Sequence, residues 1–310
     1  MKTKAIFIVG PTASGKTALS IEIAKRFDGE IISADSMQIY KGIHIASAAP
    51  EAKEMSGIPH HLLEFLDTDC QFSVADYVKK ARECIKDISQ RGKLPVIVGG
   101  TGLYISALLD NTNFTQEKTD LTLRDKLEKE FDETGSQKML EKLAKIDPDT
   151  ANRLHENDRR RIIRAFEVWH TTGKTITEQN ENSHNEESFI EPLVLGITYQ
   201  NRELLYERIN RRVDIMISSG LLAEAEESYH RKKGSGGFQA IGHKELYPYF
   251  EGETDLDTAV ETLKMQTRRY AKRQLTWFRR DERISWIYAD KVKNPTLEGI
   301  TLTEKFLKGV

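Results

Sequence analysis

Residues 6–20 read IFIVGPTASGKTALS: an apolar run, a glycine-bearing turn, and a stretch with helical spacing. Gly10 to Thr17 fits the pattern G-x-x-x-x-G-K-[ST], whose backbone N–H groups cradle a phosphate. Gly10 and Gly15 permit the turn, with Pro11, Thr12, Ala13 and Ser14 forming the loop between them. The helix that follows adds its positive N-terminal end. Lys16 is suited to neutralise phosphate charge, and the Thr17 hydroxyl to reach Mg²⁺. Strand, turn and helix stand in the required order, which separates this stretch from a surface turn with a chance lysine. Whose phosphate it holds is left open: one that is cut from a nucleotide, or the diphosphate of something else.

Working outward, Ala5–Val9 reads as a buried strand and Thr17–Phe27 as the helix after it. Glu30–Ala34 is a second strand, Ser73–Ser89 a helix, and Leu94–Val98 a third strand running into GGTGLY. Strands alternating with helices predict an α/β fold: a P-loop-type parallel sheet with helices on both faces. From about Asn113 the strand signals give way to charged helical stretches, and the tract TEQNENSHNEES (177–188) reads as a loop or connector. Strand character returns at Pro192–Thr198 and again at 284–289, ISWIYA. The expected organisation is a catalytic core of residues 1–112 and 192–310, interrupted by an all-helical insertion domain at 113–191.

Composition narrows the function classes. With 38% hydrophobic and 30% charged residues the chain can build a packed core. A net charge of −2 gives no field that would draw in a polyanion, so nucleic-acid binding would have to come from local patches. Cys70 and Cys84 are the only cysteines, too few for a cysteine zinc cluster or a disulfide scaffold. The start, MKTKAIFIVGP, is too short in apolar residues for a signal-peptide core, and no stretch reaches the length of a membrane span. A cytoplasmic protein is expected.

Asp35 follows a strand and so falls at the sheet edge where ligands bind in open α/β folds. It could hold Mg²⁺ through water, act as a base on a second substrate, or cap a helix begun by SMQIYKG. The third strand ends in Gly99-Gly100-Thr101-Gly102, with no acid where a nucleotide hydrolase carries its metal-binding aspartate. Bare backbone at a strand end suggests that a bulky group passes close by. Two segments concentrate positive charge. In NDRRRIIRA, Arg160 and Arg164 share a helix face beside Arg159 and Arg161, while Ile162, Ile163 and Phe166 face the other way. In residues 264–280, seven basic residues, Lys272 and Arg273 among them, occur with no acid, interleaved with Tyr270, Trp277 and Phe278. Either segment alone reads as a solvated helix face; together with the loop they favour RNA, through phosphate contacts and base stacking. His60-His61 has no accompanying ligand cluster and reads as structural.

These blocks, in order along nearly the whole chain, resemble the bacterial tRNA dimethylallyltransferase family, which prenylates the adenosine next to the anticodon. They are GPTASGKT (10–17), DSMQIY (35–40), PHHLLE (59–64), GGTGLY (99–104), NDRRRIIRA (157–165), RVDIM (212–216), AIGHKE (240–245) and AKRQLTWFRR (271–280). The resemblance implies that the loop holds the diphosphate of dimethylallyl diphosphate, with Thr12, Lys16 and Arg212 contacting it. It implies Asp35 as the base on the adenine amino group, and Ser36, Met37 and Gln38 lining the base pocket. Thr101 would contact the flipped nucleotide, and Arg159, Arg160, Arg161, Ile162 and Ile163 the tRNA anticodon stem-loop. Two stretches depart from the family: GIHIASAAP (42–50) stands where relatives read closer to G-x-D-I-G-T-A-K-P, and His243 stands where tyrosine is usual.

Mg²⁺, dimethylallyl diphosphate and tRNA are thus the expected partners of a monomeric enzyme, with no membrane. Three rival readings stand beside it: a P-loop small-molecule kinase or NTPase that binds ATP, a prenyltransferase acting on free adenine nucleotides, and a non-catalytic RNA-binding adaptor.

Overall fold

The alternation of side chains along a strand decides how the first strand is buried. In β1 (Thr3–Val9), Ala5, Phe7 and Val9 enter one apolar cluster, and Ile6 and Ile8 enter another. A strand buried on both faces needs cover on both, and parallel strands joined by helices supply it. The structure, a computed structural model, describes residues 2–112, 121–182, 188–231 and 236–310.

The chain forms two compact units, Met1–Leu109 with Ser188–Val310, and Asp110–Glu187. In the first unit, β2 (Gly29–Ser33), β3 (His60–His61), β4 (Leu94–Gly99), β5 (Ile190–Thr198) and β6 (Ile284–Tyr288) join β1 in one parallel sheet. The strand order is β3-β2-β4-β1-β5-β6. Phe7 of β1 lies in register with Ile97 of β4 on one side and Val194 of β5 on the other. The chain leaves β1 toward one side of the sheet and later crosses to the other, so the carboxyl end of β1 is a switch point where open α/β sheets bind ligands.

The helices of this unit in chain order are α1 (Lys16–Arg26), α2 (His44–Ser47), α3 (Ala52–Met55), α4 (Val74–Gln90) and α5 (Gly102–Leu109). The second unit is made of α6 (Leu121–Thr134), α7 (Ser136–Ile146), α8 (Pro148–Arg153), α9 (Arg159–Thr172) and α10 (Ile176–Asn182). The first unit resumes with α11 (Arg202–Ser218), α12 (Leu221–Arg231), α13 (Tyr247–Phe250), α14 (Leu256–Phe278) and α15 (Pro295–Lys308). Leu19 and Ile23 of α1, with Ile300 and Phe306 of α15, cover Ile6 and Ile8. Tyr77, Ala81, Ile85 and Ile88 of α4, with Tyr104, Ile105 and Leu108 of α5, cover the opposite face. The start of α4 is fixed by a reciprocal cap, in which Ser73 Oγ accepts from the Asp76 N–H at 3.2 Å and Asp76 accepts from the Ser73 N–H at 3.0 Å.

The second unit has its own core of Leu127, Phe131, Met139, Leu143, Ile162, Ile163 and Phe166. Buried Asp147 ties it together: it caps α8 through the Thr150 N–H at 3.1 Å and accepts the Thr177 hydroxyl at 2.6 Å. The tract expected to be a loop from Thr177 is instead helical to Asn182, and residues 183–187 lie outside the described residues, as does the expected boundary at 113. The cause is local. Thr175 and Glu178 form a capping pair, Glu178 N–H to Thr175 Oγ1 at 3.1 Å and Thr175 N–H to Glu178 Oε2 at 2.8 Å.

Candidate active site

The loop after β1 turns where the sequence places its glycines. Gly10 has φ +143°, and a Cβ there would stand 2.2 Å from the Ile197 carbonyl oxygen, so no other residue fits. Gly15 has φ +106° at the start of α1. Ser14 is buried and its hydroxyl has no hydrogen-bond partner among the described residues. Lys16 Nζ donates to the Pro11 carbonyl at 2.7 Å, closing the loop on itself. Two arginines one turn apart on α11 reach the loop: Arg208 Nε donates to Ala13 O at 2.9 Å, and Arg212 Nη1 to Thr12 Oγ1 at 3.2 Å. Burial, and then the Arg212 charge, push the Lys16 ammonium down to about 8, with Asp35 acting the other way. Burial likewise lowers Arg212. Two half-buried cations held together at a cavity wall call for an anion.

Asp35 follows β2, with one oxygen accepting the Met37 N–H at 2.9 Å. Residues 36–39 form a turn, so Asp35 closes a turn and does not cap a helix. Thr101 Oγ1 accepts the Ser36 N–H at 2.9 Å, joining the segment after β2 to the one after β4. The bare backbone at the end of β4 has an internal explanation. A Cβ at Gly99 would meet the Ala34 carbonyl oxygen at 2.1 Å, one at Gly100 the Gln274 amide at 2.1 Å, and one at Gly102 the Trp277 ring at 2.4 Å. The groups that pass close by are therefore the protein's own: the backbone after β2 at Gly99, and α14 at Gly100 and Gly102.

Gln274 was not singled out in the sequence. It is buried, its Oε1 accepts the Thr12 N–H at 2.8 Å, and its Nε2 donates to Gly100 O at 3.0 Å. Tyr270, one turn earlier, lines the same cavity as Gln274, and burial and then Asp35 raise its phenol above the ordinary value. The available signal was a glutamine on the apolar stripe Ala271, Leu275, Phe278 of a basic helix.

Two cavities meet at the loop. One, of about 350 Å³, is lined by Thr12, Lys16, Thr17, Asp35, Ser36, Met37, Gln38, Arg212, Tyr270, Arg273 and Gln274, with Ile209, Val213, Met216, Ile241 and Leu263 supplying apolar wall. The other, of about 630 Å³, is lined by Ala13, Ser14, Gly15, Lys25, Arg208 and Arg211, and shares Lys16, Thr17 and Arg212 with the first. Thr17 thus offers its hydroxyl at the junction. One hydroxyl with a nearby carboxylate fits Mg²⁺, which takes few protein oxygens and fills its shell with phosphate and water.

The basic residues divide. Lys272 and Arg273 are exposed, and Arg273 also lines the first cavity. Lys264 is neutralised by Asp214 at 2.8 Å and Glu261 at 2.9 Å, and Arg268 donates to Asn210 at 2.6 Å. In the second unit Arg160 and Arg161 are exposed. Arg159 is paired with Asp132, donates to Glu128 O at 3.2 Å and lies 4.8 Å over the Phe131 ring. The side chains of Ile162 and Ile163 are buried in the core of that unit, on the face that packs on Leu127 and Phe131. His60 lines the first cavity and donates its Nδ1–H to the Ile58 carbonyl, 2.8 Å away, whereas His61 bonds Glu30 at 2.7 Å.

Residues 38–281 match the family described as IPP transferase. A tRNA dimethylallyltransferase of Caldanaerobacter subterraneus is 46% identical over 297 residues, covering 94% of each chain. The crystal structure of a tRNA delta(2)-isopentenylpyrophosphate transferase from Staphylococcus epidermidis is similar over all of both chains, with TM-score 0.72 and 40% identity. A eukaryotic dimethylallyltransferase acting on tRNA is similar over 99% of this chain and 80% of its own, with TM-score 0.84 and 32% identity. On the family match and on relatives of this identity over most of its length, the chain belongs to the IPP transferase family, among its tRNA dimethylallyltransferases.

Proposed function

We propose that this enzyme transfers a dimethylallyl group from dimethylallyl diphosphate to the N6 amino group of the adenosine 3′-adjacent to the anticodon in tRNA, releasing diphosphate. The observation that carries the reading is a single cavity lined by a carboxylate, Asp35, and by two half-buried cations, Lys16 of the phosphate loop and Arg212 of α11. The cations suit a leaving diphosphate, and the carboxylate suits an amino group that must lose a proton. A kinase would instead be expected to carry an acid at the end of β4, where Gly99 and Gly100 stand.

The adenine amine is a weak nucleophile because its lone pair is delocalised into the ring. Asp35 accepts its proton as the new C–N bond forms. Lys16, Arg212 and the N–H groups of the loop stabilise the charge that grows on the departing oxygen. Thr17, at the junction, is the residue to hold Mg²⁺, which when bound adds positive charge against the diphosphate. Ile209, Val213, Met216 and Leu263 offer the prenyl chain an apolar wall. The target base must leave its stack to reach Asp35, at a cost of a few kcal/mol, offset by phosphate contacts from exposed residues such as Arg160 and Lys272. All these groups lie on one chain, so a monomer suffices, and the tRNA substrate implies the cytoplasm. Among the described residues no helix is long and apolar enough to cross a membrane.

The test is incubation with labelled dimethylallyl diphosphate, tRNA and Mg²⁺ in nucleotide-free buffer. Labelled tRNA and one diphosphate per modification are expected, with ATP at most a weak competitor. A strict requirement for ATP would restore the kinase reading.

A further inference from the structure

The two departures of the sequence from its family, residues 42–50 and His243, meet at one carboxylate. Glu224 of α12 accepts the Ile45 N–H at 2.8 Å and the Ala46 N–H at 2.9 Å. These are the donors at the start of α2 that a capping side chain ordinarily satisfies. Ile43 stands at the cap position and has no acceptor to offer, so the cap comes from another helix. His243, fully buried, donates its Nε2–H to the same carboxylate at 2.9 Å. A single helical turn has no stability of its own, so the placement of α2 depends on this outside anchor.

What α2 delivers is a pair of carbonyls. Gln38 Nε2 donates to Ala48 O at 3.2 Å and Ser47 O at 3.4 Å, while its Oε1 accepts the Ser33 hydroxyl at 2.9 Å. The carboxamide is thereby held in one of its two orientations. With both N–H groups engaged, the oxygen keeps one further accepting position, and the side chain lines the cavity with Asp35. Swapping the ends would put a donor where a base edge meets an acceptor. We propose that Glu224 is a positioning residue that fixes, through α2, the orientation of the Gln38 carboxamide toward the target base. The proposal rests on the reading that residues 35–38 face that base.

The experiment is a double-mutant cycle on the full chain with Glu224→Gln and Gln38→Ala. The readouts are kcat/KM for tRNA, KM for dimethylallyl diphosphate, and thermal melting. Glutamine at 224 keeps the size but offers one acceptor to two N–H groups. It should lower kcat/KM for tRNA about 10-fold, the scale of one hydrogen bond to a charged group, and leave KM for dimethylallyl diphosphate within about twofold. The double variant should be no worse than Gln38→Ala alone, because the two act through one amide. Independent, multiplying losses would overturn the proposal, as would a Glu224→Gln variant that melts lower but turns over tRNA normally. If Gln38→Ala alone changes nothing, the base-facing reading of Gln38 fails and the proposal with it, while the transferase assignment stands on its own assay. Should Glu224→Gln not fold, His243→Phe removes one tether and leaves the carboxylate. The same cycle reads it, and losses that multiply with those of Gln38→Ala overturn the proposal there too.

Discussion

Gln274 holds Thr12: the glutamine's Oε1 accepts the Thr12 N–H at 2.8 Å, and its Nε2 donates to Gly100 O at 3.0 Å. One buried amide thus ties the phosphate loop to the end of β4. Gln274→Ala leaves an N–H and a carbonyl without partners, each costing about 1–3 kcal/mol. The variant should melt lower and show a raised KM for dimethylallyl diphosphate. Gln274→Glu can still accept from Thr12 but sets a carboxylate against Gly100 O and beside the anion site. Its KM should rise further, at a smaller loss of stability than an emptied pocket produces. Steady-state kinetics and melting curves on both variants decide it; equal KM values for wild type and Gln274→Glu would remove Gln274 from the site.

Asp35→Asn is nearly isosteric and cannot take a proton. It should lower turnover by roughly 10²–10⁴-fold with tRNA affinity nearly unchanged. Activity within a few-fold of wild type would leave Asp35 with only its turn-closing bond to Met37.

Lys16 ties function to instability. Its ammonium is pushed from 10.5 down to about 8 by burial and by Arg212. The unfolded chain therefore binds more protons between these values, so stability rises with pH across this window. The cost of the buried charge is fully present below about pH 8. Lys16→Met should then melt higher than the wild type without ligand at pH 7, with the gap closing toward pH 10. Turnover should fall by at least roughly 10²-fold. For the wild type, affinity for dimethylallyl diphosphate should weaken as pH rises through 8, when the loop loses a charge. A pH-independent affinity between 7 and 9.5 would exclude Lys16 from the diphosphate.

How far the sequence reaches depends on the range of each interaction. Strands β1, β2, β4, β5 and β6 are legible because their apolar runs are local. β3 is not: two residues, His60 and His61, carry no pattern, and only pairing with Ile31 and Ile32 makes them a strand. The glycines at 100 and 102 signal a close approach, but what approaches comes from α14, more than 170 positions on, which no local pattern names. Helix α10 was legible in principle, since T-I-T-E at 175–178 is a capping pattern, yet the polar composition around it outweighed it. Buried polar residues such as Gln274 and Glu224 are the hardest to read, because their partners are backbone groups that the sequence does not distinguish.

Glu30 anchors the opposite end of the sheet from the loop. It is 3% exposed and accepts from Arg91 Nη2 at 2.8 Å, from His61 at 2.7 Å, and faces Lys93 at 3.3 Å. Arg91 first, then His61 and Lys93, hold its carboxyl at about 2 against the cost of burial. The stability it contributes is present above the ordinary value of 4.5 and is lost as pH falls toward 2. Glu30→Gln should cost about 3 kcal/mol at pH 7 and flatten the acid limb of the stability curve. Unchanged acid unfolding would show that the cluster is too hydrated to matter.

The last prediction separates basic residues by what they already touch. A phosphate contact releases counterions, so losing one lowers the salt slope of tRNA binding by about one unit. Arg160 and Lys272 are exposed, so alanine at either should weaken binding and reduce the slope by about one unit. Arg159 differs: Asp132, the Glu128 carbonyl and the Phe131 ring already occupy its guanidinium. Arg159→Ala should lower the melting temperature of the helical unit and leave the salt slope unchanged. Ile162→Ala and Ile163→Ala should act on stability as well, by about 2–5 kcal/mol each, since both side chains fill the core. Binding titrations of the five variants at several salt concentrations, with melting curves beside them, make the comparison. A reduced slope for Arg159→Ala would mean that its internal contacts open when tRNA binds. Unchanged slopes for both Arg160→Ala and Lys272→Ala would return those two residues to the solvated surface.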